Sequence, residues 1–502
     1  MTTKFEVKMH PQPHRIAVVI FGRYPQPGRS KTRLTPLLGE AGAAKAQLVM
    51  TNQLLEKLLP MQTQAKPMEG YQCEFAVEMH YSSGSRKGMA NWLAAYKHRY
   101  PGFSWRVQEG SDLGDRMQKS FWTMFKHGFT IVIIIGSDIP GLNLIHINDA
   151  VEKLLPGNTN MVVGPAKDGG YYLVGLHRSA IPQLDSAFKG IDWGSEYVYN
   201  QQMQLARSVG LKVKPLTTVL EDVDVPSDMA VFERYTHVSP KQLVSPTWTI
   251  VVPMRNEVHH VKAVVQNVVK NARCLSNITL VFSDDGSTDG STVQVEKMQQ
   301  LYGCQLTIKL VTSEARRGRG PVLNAGAADA DTDCLLFLHC DSRLPRHFDD
   351  HARDALSVPG AAAGAFLFAT DSVHDPEARS KVTSLFAWSM RVLEWGANVR
   401  SKYFEMPYGD QGLFMSRRVF ERVAGFPPVP LMEDVALVSR VKRLGHMQLA
   451  SCDPCVSSSR RWLTHGVLKV TLLSQFILAA YMVGVDPRRL AQWYYGDKAL
   501  LG

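Results

Sequence analysis

The sequence predicts an α/β protein made of two doubly wound domains in tandem. Three observations lead there. The chain has 502 residues, too many for one ordinary domain. Short, wholly apolar runs alternate with helical stretches in both halves, the pattern of buried parallel strands joined by crossover helices. And the pattern stops and restarts at a polar, proline-marked segment near residues 236–247.

In the first half, Ile16–Phe21 is a buried strand ending at Gly22, and a helix is expected from about Ala41 to Leu59. Ile131–Ile135 runs into Gly136-Ser137-Asp138, and Met161–Val163 runs into Gly164-Pro165. In the second half, Thr249–Pro253 is the opening strand. Leu280–Ser283 leads into Asp284-Asp285-Gly286, and Leu335–Leu338 into His339-Cys340-Asp341. In both halves a carboxylate follows a buried strand, at the sheet edge where open α/β folds bind ligands. The expected division is 14–235, a linker 236–247, and 248–495.

Composition narrows the function classes. Hydrophobic residues make up 45% and charged residues 20%, which are globular values. The net charge of +10 is spread evenly: 26 basic and 21 acidic residues up to Pro240, 30 and 25 after it. With no basic patch or tail, no nucleic-acid partner is expected, while an anionic small substrate suits the balance. Seven scattered cysteines make no disulfide framework, and the polar N-terminus lacks an apolar signal core, so a cytoplasmic location is expected. Val467–Val485 is mostly apolar but carries Lys469, Ser474 and Gln475. A span needs about 20 clean apolar residues, so a buried or membrane-surface helix is expected, leaving peripheral membrane contact open. Oligomeric state is not legible.

The motifs of the second half carry chemistry. Asp284 and Asp285 on a Gly-rich turn suit a base N–H and ribose hydroxyls. Arg316, Arg317 and Arg319, followed by Asn324, suit phosphates. Asp341 offers a carboxylate to Mg²⁺ or Mn²⁺, with His339 either a second ligand or a packed imidazole. Glu433-Asp434 can present a carboxylate to an acceptor hydroxyl as general base. Arg461 and Trp462 can neutralise a diphosphate and stack on a sugar. In the first half, Gly22–Arg33 misses the P-loop spacing but brings Arg23, Arg29, Lys31 and Arg33 together, as suits a polyphosphate. Asp138, Asp222 and Asp224 can clamp one divalent ion, and Asp168 stands on a Gly-rich turn.

The ordered set PxxNE, DDGSTDG, RGRG…NAG, HCD, YGDQG, PLMED and RRW over about 247–495 resembles family 2 glycosyltransferases of the GT-A fold. It is most similar to a bacterial transferase 2 type associated with radical-SAM/selenodomain proteins. The resemblance implies inverting transfer from a nucleoside-diphosphate sugar to a small-molecule or lipid-linked acceptor. Glu257 and Asp285 would hold the nucleoside, Asp341 the metal, Asp434 would be the base, and Arg461-Trp462 would end a QxxRW-like motif. His339 replaces the first Asp of the DxD-type motif, and Ser458 replaces the Gln of QxxRW. The set PxPGxxKTRL, LGDRM, GSDxP, PAxDGGYYL and DxDxPxD over about 14–235 resembles a transferase 1 family and GT-A nucleotidyltransferases of the MobA and phospholactate guanylyltransferase kind. Two GT-A-like, Rossmann-like domains are therefore expected. The first would make the activated donor, act as a second glycosyltransferase, or only bind nucleotide.

Overall fold

A computed structural model describes residues 13–63, 66–68, 70–312 and 318–495, and divides into two compact units, Met1–Val244 and Ser245–Gly502. The first unit contains β1 (His14–Gly22), β2 (Lys66–Met68), β3 (Tyr71–Tyr81), β4 (Ser104–Val107), β5 (Ile131–Gly136), β6 (Met161–Pro165), β7 (Tyr171–His177) and β8 (Val213–Pro215). The sheet order is β2-β3-β1-β5-β7-β6-β8, with β4 also paired to β3. Ile16 to Ile20 are wholly buried, as expected of a central strand covered on both faces. β1 runs parallel to β3 and β5, whereas β7 is antiparallel to both β5 and β6. The expected helix is Thr35–Leu58, longer at its start because its first turn continues through a kink at Gly39.

The second unit contains β9 (Trp248–Met254), β10 (Ile278–Asp284), β11 (Thr307–Thr312), β12 (Cys334–Phe337), β13 (Ser342–Arg343), β14 (Ala361–Ala365), β15 (Phe368–Thr370), β16 (Leu413–Ser416), β17 (His446–Leu449) and β18 (Cys455–Ser457). Its main sheet has the order β11-β10-β9-β12-β16-β14-β17; β13-β18-β15 form a small second sheet. β16 is antiparallel to its two neighbours, and β14 pairs β17 in parallel. The core is built around Trp248, Phe282, Phe366 and Phe414. β14 is a run of alanines and one glycine because a Cβ on Gly364 would come within 2.4 Å of the Phe414 ring.

Set aside β2 and the small sheet, and the two units share one order: third, second, first, fourth, sixth, fifth, seventh strand, with the sixth antiparallel. The sheets are thus mixed rather than purely parallel. The shared order puts Asp138 after β5 and Asp341 after β12 at equivalent edges. Residues Pro240–Val244, read from sequence within a linker, form a short helix whose Leu243 packs into the first unit's core. Val467–Val485 is the helix Val467–Met482 followed by a turn. Among the described residues no helix is long and apolar enough to cross a membrane.

Candidate functional sites at the carboxyl edges of the two sheets

In the second unit the loops after β9 and β10 are tied to one another. Asn256 adopts the left-handed conformation (φ 56°), and its side chain accepts a hydrogen bond from the Thr288 amide at 2.8 Å. Glu257 N–H donates to Ser291 Oγ at 2.8 Å. Asp284 is buried: its Oδ2 accepts from the Gly286 and Ser287 amides at 3.1 and 3.0 Å, and its Oδ1 has no hydrogen-bond partner. Asp285 stands 3.7 Å from the Arg255 guanidinium. These loops place the Glu257 and Asp285 carboxylates at the sheet edge, which suits a nucleoside, while Asp284, read from sequence as a donor-binding residue, is buried and shapes the turn.

Arg460 links this corner to the next strand end. Its guanidinium lies 3.1 Å from Glu257 and 3.7 Å from Asp341. Burial pushes the Asp341 carboxyl up from its ordinary value, the Arg460 charge opposing this and Glu257 adding to it. The sequence pointed instead to Arg461 and Trp462. Arg461 stacks on the Tyr494 ring, 4.4 Å from its centroid, and Trp462 lies against Phe368. The residue one step earlier faces the carboxylates because the short helix Arg460–His465 starts there.

Arg319 opens the helix Arg319–Ala328 and reaches His339 Nε2 at 3.1 Å and Glu433 at 3.7 Å. Burial and the Arg319 charge hold the His339 imidazole well below its usual range, so it is neutral and accepts from the guanidinium. A Cβ on Gly409 would come within 2.9 Å of that imidazole, so the Gly409 backbone fits against it only without a side chain. Asn324, expected at the donor, clamps a loop instead: its amide donates to Phe426 O at 2.8 Å and accepts from Phe426 N at 2.9 Å. Arg316 and Arg317 lie outside the described residues.

Asp434 sits in the first turn of the helix Glu433–Val441. Its two oxygens accept from the Gly409 and Val435 amides at 2.9 and 2.8 Å, which fixes the carboxylate's direction. Glu433 is buried, and burial with the adjacent Asp434 charge pushes it up to about 7, Arg319 opposing. Asp410 rises to about 6, first from burial and then from Asp434 and Asp341, with Arg400 opposing. Asp410 and Arg460 join this edge without having been singled out from sequence, though the YGDQG and RRW motifs contained them; Glu433 was read only as the partner of Asp434.

In the first unit Lys31, in the left-handed conformation (φ 50°), is buried with its ammonium 2.9 Å from Asp138 and 3.4 Å from Asp224. Arg33 meets Asp224 at 2.6 Å. Lys31 holds the Asp138 carboxyl below its ordinary value against the opposing effect of burial. Asp222 rises to about 6, from burial and from the charges of Asp168 and Asp138. Asp168 accepts from the Gly170 amide at 2.9 Å, and Arg29 lies in the turn that Ser30 closes on Tyr24 and Gln26. The expected carboxylates thus gather, but around a lysine.

The fit of a divalent ion differs between the units. Among the described residues no three His, Cys, Asp or Glu side chains are arranged to hold a metal. In the second unit His339 is directed at Arg319, which leaves Asp341 as the protein ligand. That set fits Mg²⁺ or Mn²⁺ bound through one carboxylate and several substrate phosphate oxygens, not an ion held by protein alone. In the first unit the Lys31 ammonium occupies the space between Asp138 and Asp224, so these carboxylates, read from sequence with Asp222 as a metal clamp, are paired to a lysine instead.

Residues 72–195 match the family model described as "Uncharacterized protein conserved in bacteria (DUF2064)", and residues 249–423 match "Glycosyl transferase family 2". The two matched segments come in the order the motifs suggested, one in each α/β unit, and the two units share one strand order. Similar solved structures include a candidate nucleotide-diphospho-sugar transferase from Desulfovibrio desulfuricans G20, at 28% identity and TM-score 0.35, covering 45% of this chain and 90% of that one. The mannosyltransferase PcManGT from Pyrobaculum calidifontis, with GDP-Man and Mn²⁺, is 20% identical with a TM-score of 0.35, covering 51% and 70%. S. aureus TarS 1-349 with UDP-GlcNAc is 15% identical with a TM-score of 0.32, covering 43% and 59%. No curated protein matches the chain.

The raised Glu433 carboxyl sets a pH dependence. Its ordinary value is 4.5 and its value in the fold about 7, so between the two the folded chain binds more protons than the unfolded one. Its contribution therefore lowers stability as pH rises through that window. Replacing Glu433 by Gln removes this loss. Denaturant unfolding should show Glu433→Gln gaining on the parent near about pH 8 but not near about pH 4.

Proposed function

We propose that the second unit transfers a sugar from a nucleoside-diphosphate sugar to an acceptor hydroxyl, with inversion at the anomeric carbon. The observation that carries this reading is the Asp434 carboxylate, fixed by two backbone amides next to Glu433 and its Arg319 partner. The family 2 segment supports it, although that segment ends before Asp434. The functional division proposed is 14–235 and 248–495, with 236–247 between.

In this reaction Asp285 and Glu257 hold the nucleoside, and buried Asp284 holds the turn that presents Asp285. Asp434 takes the proton of the acceptor hydroxyl as its oxygen attacks the anomeric carbon in line with the diphosphate. The bond to the diphosphate breaks as the new glycosidic bond forms, so one displacement inverts the centre. Arg319 and Arg460 balance the negative charge of the departing diphosphate in a partly dehydrated site, where fixed charges act strongly. Asp341 would hold Mg²⁺ or Mn²⁺, which supplies further positive charge to the leaving group. Asp410 and Glu433 are held toward their neutral forms, which keeps surplus negative charge away from the incoming diphosphate.

For the first unit we propose that it makes the activated donor from a nucleoside triphosphate and a sugar phosphate. Lys31 and Arg33 lie where a polyphosphate can draw them. Feeding the full chain nucleoside triphosphates and sugar 1-phosphates should release pyrophosphate, and Lys31→Met should lower that rate by about a hundredfold or more. Turnover of a nucleotide sugar at this unit with no pyrophosphate release would replace this reading with two successive glycosyltransferases.

For the second unit, Asp434→Asn should lower sugar transfer by about 10²–10⁴-fold while donor affinity changes little, as read by product mass spectrometry and donor titration. Transfer that survives the substitution would remove Asp434 from the role of base.

A further inference from the structure

The second unit carries an apolar face that its described residues leave uncovered. On the helix Ser384–Tyr403, Ala387, Met390 and Glu394 point inward, while Leu385, Trp388 and Trp395 are 73%, 62% and 69% exposed. Their spacing of three and seven residues keeps them on one stripe, and Arg391 stands exposed within it. The helix Val467–Met482 packs beside this one. It is apolar nearly all round, yet Leu468 and Leu472 are 73% and 60% exposed. A helix of that character belongs in a core or against lipid, not in water.

We infer that this face docks, without crossing, on an anionic lipid surface and so brings the donor site to an acceptor presented by lipid. Three observations select that occupant. Tryptophans set among aliphatic side chains suit the boundary between headgroups and acyl chains. Beyond Arg460 and Arg461, which are engaged with Glu257, Asp341 and the Tyr494 ring, exposed Lys469, Arg488 and Arg489 stand against one carboxylate, Asp486. That excess complements anionic headgroups, whereas a two-fold contact with a second copy would set Arg391 and Lys469 against like charges. The face is also continuous with the site: Arg460, which meets Glu257 and Asp341, opens the short helix that leads into Val467–Met482. A cavity of about 450 Å³ lined by Arg391, Glu394, Trp395, His374 and Asn398 lies along the same helix, with Glu394 3.2 Å from His374 and Arg391 at its exposed side. The docking follows from the surface alone; only the lipid character of the acceptor rests on the sugar-transfer reading.

The test is co-sedimentation of the full chain, without nucleotide sugar, with vesicles of phosphatidylcholine alone or with about a third phosphatidylglycerol. The chain should pellet with the anionic vesicles, less so at high salt. Trp388→Ala with Trp395→Ala, and separately Leu468→Glu with Leu472→Glu, should each lower partitioning by about tenfold or more while circular dichroism is unchanged. A chain that stays in solution with anionic vesicles overturns the inference, as does binding that both double variants retain. Self-association abolished by the same substitutions, with no vesicle binding, would assign the face to a second copy instead. A failure of the sugar-transfer reading would appear in the Asp434→Asn assay and leave the vesicle result unmoved.

Discussion

A carboxylate stands just past the fourth strand of each sheet, counted along the chain without β2: Asp138 after β5 and Asp341 after β12. Each faces a resident cation, Lys31 at 2.9 Å in one unit and Arg460 at 3.7 Å in the other. A carboxylate taken partly out of water must be paired, hydrogen-bonded or protonated. These two sheets use all three remedies at one edge. Asp138 is paired, Asp434 is hydrogen-bonded by two amides, and Glu433 and Asp410 are pushed toward protonation. Remove the cations and the remaining carboxylates would repel one another across the site.

The same balance leaves each edge with cations that suit an anionic ligand. A diphosphate entering beside Arg319 and Arg460 finds cations already held in place, with little reorganisation left to do. In the first unit the cation is more deeply placed, because Lys31 lies among the carboxylates rather than beside them. A ligand there must compete with Asp138 and Asp224 for one ammonium, which ties binding of phosphate to exposure of the acidic set. The shared strand order explains why both units present this arrangement although their sequences do not visibly repeat.

The sequence revealed the edges well and the interior of each site less well. Continuous apolar runs such as Ile16–Phe21 and Leu335–Leu338 are strands because nothing else buries both faces of so short a segment. β14 escapes that reading, since Ala361–Ala365 lacks the β-branched and aromatic residues that mark strands and is extended because Phe414 leaves room only for small side chains. Among site residues, Asp138, Asp341 and Asp434 were legible as acidic residues after strands or at a helix start. Which arginine of Arg460-Arg461 faces the carboxylates was not, because one residue of helical phase decides it. Nor could spacing show that Asn324 turns back to the Phe426 backbone, or that Lys31 sits at the centre of the carboxylates read as a metal clamp. Both depend on contacts across more than a hundred residues of chain.

On the proposed reading, fixed cations at the edge of the second sheet, held by their own carboxylates, receive a nucleoside diphosphate. Titrating the full chain and its Arg460→Gln variant calorimetrically with UDP, GDP and CDP in the presence of Mn²⁺ tests it most directly. The account predicts saturable binding of at least one of them to the parent, weakened by about tenfold or more in the variant. Binding of equal strength in both, or no binding of any to the parent, would contradict it.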